Sequence, residues 1–479
     1  MRALFIALWC SATTISLSAQ ASVKPLAWIK LNGKYGFVDE SGKEVIAPKY
    51  DTVYDFANGV ARVRKNGKWG VINSTGKEIV VPKYDNILFF SGGIANIEMN
   101  KKEGILTDQG KEIVPPIYDE VGYFDENRAY VMKNNRYGFV NRKGEIVVPI
   151  KYRLLEMYHF NEGLCGVQNE AGKWGFIDTT GKEVIPCIYE SVDAFNCGLA
   201  GVVMNDKHGF IDKTGRIVIP CKYQMAFEFH RNRAIVYEND DHMITFINTS
   251  GEKIVGPIRG TGIVFKDGMY ELHDEGKGWG YIDSTGKTVV QPVYDYAWAF
   301  YNGFGRLKKG NKVGFANRKG VFVEPKYDNA ADFNEHRAMI LLNGKIGFID
   351  EQGKEVIPPK YDDAAAFSEG MAKVGLNGKV GFIDLQGKEV VPPAYDQASN
   401  FLNGYALVAT GGKIGVIDKT GKGITAIKYD NARGNDQKLM AVLLDGKWGY
   451  IDRYNGETVI AHRYDDAGYF RDPNDPTIY

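Results

Sequence analysis

A glycine returns at one phase of this chain from end to end: Gly36, Gly70, Gly104, Gly138, Gly175, Gly209, Gly280, Gly314, Gly347, Gly381, Gly415 and Gly449. Successive copies lie 33 to 37 residues apart, most often 34, and one worn copy has Thr245 at the same phase. A fixed period of about 20–50 residues marks a repeat architecture, in which no unit buries its own apolar faces and its neighbours must do so.

The residues around the glycine predict what one unit builds. Asn-Gly at 32–33, 66–67, 343–344 and 377–378, with Asp445-Gly446 and Gly411-Gly412, are two-residue hairpin turns whose central residues take positive φ. The strand that follows, such as Lys68-Trp-Gly-Val-Ile72, puts Trp69 and Val71 on one face and Gly70 and Ile72 on the other. Both faces are apolar, so the strand is sandwiched, and the glycine admits a close neighbour. A second tight turn follows at Asp39-Glu-Ser-Gly42, Asp178-Thr-Thr-Gly181 or Asp350-Glu-Gln-Gly353. A third strand, as in Glu183-Val-Ile-Pro186 or Glu389-Val-Val-Pro392, ends at a proline that cannot donate to a ladder. Tyr361-Asp-Asp-Ala-Ala-Ala-Phe367 then leads through a Gly to the next short strand. Helical periodicity is nearly absent. The expected fold is all-β: about thirteen tandem repeats of three to four short antiparallel strands, arranged as propeller-like blades.

In chain order, residues 1–21 read as a secretory signal peptide: Arg2, the apolar run Ala3 to Trp9, and Ala19-Gln20-Ala21 as a cleavage site. Regular repeats fill 22–223, an irregular degenerate repeat occupies 224–276, and regular copies resume over 277–479. Six units, a worn one and six more suggest two halves, hence two propellers. An open β-solenoid is the alternative, favoured by the short period. No other apolar stretch approaches the ~20 residues of a membrane span, so no transmembrane segment is expected in the mature chain. The 59 basic residues balance 59 acidic ones, which argues against a nucleic-acid partner.

The mature chain keeps Cys165, Cys187, Cys197 and Cys221, an even number in an exported protein. Cys187 and Cys221 each follow their unit's proline. A strand-paired solenoid would set them close enough to bridge; neighbouring blades, about 10 Å apart, would not. The other reading is four small buried residues. The seven histidines are scattered singly, and the spacings of metal ligands, nucleophile elbows and phosphate loops are missing, so no metal, cofactor or catalytic residue is expected. The one asymmetric polar cluster is Glu238, Asp240, Asp241 and His242 beside Arg231 and Arg233 in the worn repeat. It reads as a solvated loop, or as a binding or catalytic site built where the repeat breaks.

Aromatic residues hold two repeated slots. One contains Tyr35, Trp69, Tyr137, Trp174, Trp279 and Trp448, each before its glycine: Gly36, Gly70, Gly138, Gly175, Gly280 and Gly449. The other contains Tyr50, Tyr84, Tyr118, Tyr327, Tyr361 and Tyr395. Recurring aromatics are expected to stack in a core, since aliphatic residues replace the first set elsewhere, as at Val313 and Ile346. A ladder of exposed rings for sugars is the alternative.

The recurring Lys-Trp-Gly-Phe-Ile-Asp…Gly-Lys-Glu-Val-Ile-Pro…Tyr-Asp resembles the bacterial WG-repeat (KWG-repeat) family over essentially everything after the signal peptide. The resemblance implies an exported or envelope-associated repeat protein that binds or scaffolds, without an established reaction or catalytic residues. The expected function is a non-enzymatic binding or scaffolding module for protein partners in the cell envelope, located in the periplasm, at the outer surface or secreted. A carbohydrate or cell-wall binding protein is the alternative, and an envelope enzyme with its site in 224–276 the third reading.

Overall fold

The computed structural model describes residues 24–238, 243–259, 265–274, 276–283, 285–434 and 437–474. The signal-peptide reading of 1–21 and the residues Asp240, Asp241 and His242 lie outside them. The described elements are all β: small antiparallel sheets follow one another along the chain, each built from one repeat. In blade 2 the order is a two-residue strand Thr52–Val53, then Val60–Lys65, Lys68–Asn73 and Glu78–Tyr84. Blades 3 to 13 follow in chain order with their short strands beginning at Asn86, Glu120, Leu154, Ser191, Met225, Phe265, Tyr296, Asn329, Asp363, Gln397 and Asn431, and in most of them one residue separates the short strand from the preceding blade's last strand.

The blades close into a single ring of thirteen. Blade 1 contains Leu26–Leu31, Lys34–Asp39 and Glu44–Tyr50, and its short strand is Asp466–Ala467 from the far end of the chain. Ile29 pairs with Ala467 and Lys30 with Asp466. Every junction between neighbours has its own apolar cluster, and the junction of blades 13 and 1 packs Ala27, Ile29 and Val38 against Trp448, Tyr450 and Ile460. The halves therefore do not separate into two propellers, and the array is not an open solenoid. Ends that would expose an apolar face bury it against each other.

Each motif residue has a place in this ring. Asn343 and Gly344 take positive φ in the predicted hairpin turn. Asp350 caps its own turn, its Oδ1 accepting from the N–H of Gln352 at 3.0 Å and of Lys354 at 2.9 Å. The repeated glycine lies beneath a bulge: between the pairs Phe37–Ile46 and Tyr35–Tyr50, Gly36 faces Ala47, Pro48 and Lys49. A Cβ on Gly36 would sit 2.3 Å from the Ile46 carbonyl oxygen, so only glycine fits. The Tyr slot is core, with Tyr50, Tyr84, Tyr327 and Tyr361 fully buried.

The polar motif residues join neighbouring blades. Tyr361 donates its hydroxyl to Glu389 of the next blade at 3.1 Å, as Tyr327 does to Glu355 at 2.9 Å. The Asp after that Tyr ties two hairpins: Asp362 accepts from Lys345 of blade 10 and from the N–H of Asn377 in the turn of blade 11. The same arrangement recurs at Asp51, between Lys34 at 2.5 Å and the Asn66 N–H at 2.7 Å.

Candidate interaction band on the forward face

Directly opposed residues of antiparallel strands share a face. In blade 2, Arg62 pairs with Val71, Arg64 with Trp69 and with Thr52, and the Tyr54 N–H bonds to the Arg62 carbonyl. Tyr54, Arg62, Arg64 and Trp69 therefore stand on one face, together with Val60, Val71, Val80 and Tyr84. The latter four are buried against Ile87, Phe90, Ala95, Ile97 and Leu106 of blade 3. So the forward face of each blade has a core half and a second half that stays partly open. The open halves form a band that passes round the ring from blade to blade.

The residue four places after the repeated Tyr lies over the first long strand of its own blade, and the two are fitted in size. Gly122 lies under the Tyr130 ring and Gly468 under Trp28, while Glu156 and Asp193 lie over Gly166 and Gly201. Trp298 stacks on Arg306, with the guanidinium 4.7 Å from the ring centre, and Arg62 lies 4.0 Å over Tyr54. The first long strand then reaches the short strand of the next blade: Arg62 donates to the Ile87 carbonyl at 2.8 Å, Asn96 to Val121 at 2.6 Å and Arg306 to Ala330 at 2.8 Å. Among the described residues, cavities open in the band at blade 3, at blade 10 and between blades 11 and 12. About 60 Å³ lies beside Asn86, Leu88, Asn96, Ile97, Glu98 and Glu103. About 170 Å³ lies beside Ala331, Met339 and Ile346, and about 290 Å³ beside Asp363, Lys373 and Asp396.

The predicted Trp slot lies where the core meets this band, its rings packed against the blade-junction clusters. Tyr35, Trp69, Tyr137, Trp174 and Trp279 are half-buried, and only Trp448, under the Arg433 guanidinium, is sealed at 4% exposure. Trp69 stacks on Tyr54, and Trp279 on His273 with ring centres 4.5 Å apart. The glycines Gly36, Gly70, Gly138, Gly175, Gly280 and Gly449 all hold the bulge site and none borders the band. Cys165, Cys187, Cys197 and Cys221 are free thiols; Cys187 and Cys221 sit in adjacent blades, the geometry that keeps equivalent residues apart. Of the worn-repeat cluster, Glu238 is exposed at the end of Arg233–Tyr237. Among the described residues no group of three or more His, Cys, Asp or Glu could hold a metal ion.

Sequence reasoning missed Tyr54, Arg62, Glu98, Glu156, Asp193 and Arg306 as a set. The signal that finds them is their phase: they vary freely at positions where the neighbouring motif does not.

The geometry defines a closed repeat ring that spends its constant residues on its junctions and leaves one variable band. The WG containing repeat model matches residues 35–69, 69–102, 104–137, 137–174, 174–207, 209–240, 279–312, 314–345, 346–379, 381–413, 414–448 and 448–473. The chain belongs to the WG-repeat family. No curated protein matches it. Solved structures similar to it include a eukaryotic initiation factor, at 12% identity, covering 95% of this chain and 100% of that one with a TM-score of 0.33. Others are BamB from Moraxella catarrhalis (14%, 53% and 94%, 0.24) and PorZ, a surface component of the type-IX secretion system of Porphyromonas gingivalis (10%, 92% and 80%, 0.21). None of these likenesses reaches a TM-score of 0.5, and none bears on what the chain does.

Proposed function

We propose that this chain is an exported, non-enzymatic ring that binds and gathers protein partners in the cell envelope. The observation that carries the reading is the division of the forward face. Its core half repeats from blade to blade, while its open half changes chemistry in every blade and presents exposed rings such as Tyr54, Phe89 and Tyr123. Exposed aromatics beside partly desolvated charges are the usual anchors of protein interfaces. The pattern of residues 1–21 supports export, and no helix among the described residues is long and apolar enough to cross a membrane.

A pull-down from a detergent-solubilised envelope extract tests this, with an unrelated repeat protein as control. Defined partners should be enriched, and Tyr54→Ala with Tyr123→Ser should release them while the ring stays folded. Capture that survives both changes would move the partner site off the band. A second reading, carbohydrate binding, is favoured by the half-buried Trp69, Trp174 and Trp279. It predicts retention on a polysaccharide panel and shielding of these rings from acrylamide by the bound glycan.

A further inference from the structure

The chain is neutral overall, but its band is not. Consider four equivalent positions per blade: the residue four after the repeated Tyr, two on the first long strand, and the Trp slot. Among the described residues, blades 3 to 8 hold Glu98, Glu103, Glu156, Asp193 and Glu271 there, and no Lys or Arg. Blades 9 to 13, 1 and 2 hold Arg306, Lys308, Lys373, Arg433, Lys30, Arg62 and Arg64, and no Asp or Glu. At these positions one arc of the ring carries only acidic residues and the other only basic ones.

Among the described residues no Lys or Arg forms an ion pair with these five carboxylates. Glu98 and Glu103 stand directly opposite each other in an antiparallel pair, an arrangement that is destabilising when nothing neutralises it. Glu103 accepts the Val121 N–H at 2.8 Å, and burial raises its carboxyl above the ordinary range with Glu120 and Glu98 adding to the effect. Asn96, only 8% exposed, donates its side-chain amide to the Val121 carbonyl, and among the described residues no donor meets its side-chain oxygen, which lies in the wall of the cavity it shares with both glutamates. Glu271, also 8% exposed, has a carboxylate with no partner among the described residues. The cavity presents two carboxylates and the Asn96 side-chain oxygen as acceptors, with the Asn86 amide opposite Glu98 also able to donate. Its volume of about 60 Å³ is roughly that of two waters in the liquid, which suits an ammonium head. One residue along from Leu88 and Gly122, the exposed rings of Phe89 and Tyr123 stack at 6.4 Å, placed to cover an aliphatic stem and to attract a cation.

We propose that the arc of blades 3 to 8 binds an extended, lysine-rich protein segment, with one lysine ammonium seated between Glu98 and Glu103. This rests on the partner-binding reading and names the chemistry of the partner. The probe is fluorescein-labelled decalysine, titrated against the full chain by anisotropy at 0.15 M salt. Saturable binding is expected, weakened about tenfold or more by E98Q/E103Q, the loss of roughly one good ion pair. The Phe89→Ser/Tyr123→Ser pair, on exposed rings, should weaken it several-fold if E98Q/E103Q fails to fold. The equal charge change E40Q/E324Q, off the band, should leave it within about twofold. Absence of saturable binding, or equal losses from E40Q/E324Q and E98Q/E103Q, overturns the proposal, since affinity would then follow net charge alone. If decalysine fails while envelope partners are still captured and released by the Tyr54 and Tyr123 changes, only the cationic identity of the partner falls.

Discussion

Blades 10 and 12 have repeats of matching phase, yet blade 12 forms three strands where blade 10 forms four. Blade 10 reads Lys354-Glu-Val-Ile-Pro-Pro-Lys-Tyr361, and blade 12 reads Lys422-Gly-Ile-Thr-Ala-Ile-Lys-Tyr429. By residue type Ile424 to Ile427 is the better strand former, since proline is depleted in strands. It loses nonetheless. Glu355 anchors its strand by accepting the Tyr327 hydroxyl of the preceding blade, and Gly423 has no side chain to accept one. The segment after Gly423 folds over instead: Ile424 and Thr425 both donate to the Val416 carbonyl, and Thr425 Oγ1 accepts the Val416 N–H. Tyr395, whose Glu is missing, is half-buried where Tyr327 is sealed. The lesson is that the last strand is held by its anchor and its bulge rather than by local propensity.

Blade 7 varies the bulge rather than the anchor. Thr245 replaces the glycine, and its third strand opposes it with only Gly256 and Pro257 between the pairs Phe246–Val255 and Ile244–Ile258. The shortened bulge carries its own glycine, Gly256 at φ 106°, and makes room for the Thr side chain. Thr245 is buried to 1% exposure, and its Oγ1 has no partner among the described residues. The largest predicted effect follows. Gly347→Val in blade 10 would drive a Cβ to within 2.4 Å of the Ile357 carbonyl. It should lower unfolding stability by on the order of 3 kcal/mol, measured by urea denaturation. Thr245→Gly in blade 7 should change it by less than about 1 kcal/mol. Equal effects at both positions would mean that the bulge lengths do not set the tolerance.

The repeat, its strands, both turns and the all-β blades were legible because Asn-Gly, Asp-x-x-Gly and the glycine phase report local geometry. Ring closure was not legible, because it depends on Asp466–Ala467 meeting Leu26–Leu31, a pairing that no local pattern encodes. The Trp slot was read as core because Val313 and Ile346 substitute for Trp there; a half-buried site tolerates both. The band stayed hidden because Arg62, Asn96 and Glu271 share a phase but no residue type.

That phase gives the next effect. Arg306 in blade 9 donates into the short strand of blade 10, whereas Glu271 in blade 8 places a carboxylate at the same position. Burial pushes the Glu271 carboxyl up to about 7. With a raised native pKa, the folded state holds a proton that the unfolded chain releases, so stability falls as pH rises from about 4.5 to about 7. Glu271→Gln should therefore melt with the wild type at pH 4 and exceed it at pH 8 by on the order of 1–2 kcal/mol in thermal melts. A constant difference across that range would place the proton elsewhere.

The anchor itself is testable on the pair of tyrosines. Tyr361→Phe removes the hydroxyl that Glu389 accepts and should cost about 1 kcal/mol. Tyr395→Phe, where no Glu waits, should cost nearly nothing, and Gly423→Glu should recover part of the difference in blade 12. A cost at Tyr395 equal to that at Tyr361 would show that the ring tolerates the missing anchor through contacts of another kind.

The smallest stability effect separates the two halves of the forward face most sharply. Tyr123 is 59% exposed and its ring stacks on Phe89. Tyr123→Ser should leave the melting curve within about 0.5 kcal/mol of the wild type, as surface changes do. Its buried neighbour Val121, in the cluster with Tyr118, Val131 and Val140, should by contrast cost about 2 kcal/mol when cut to Ala. If Tyr123→Ser proved as costly as Val121→Ala, the open half of the face would be holding the ring together, and its blade-to-blade variation would need a structural cause. If it is silent in melting and yet weakens partner capture, the constant half of the face keeps the ring closed and the variable half is free to choose what the ring holds.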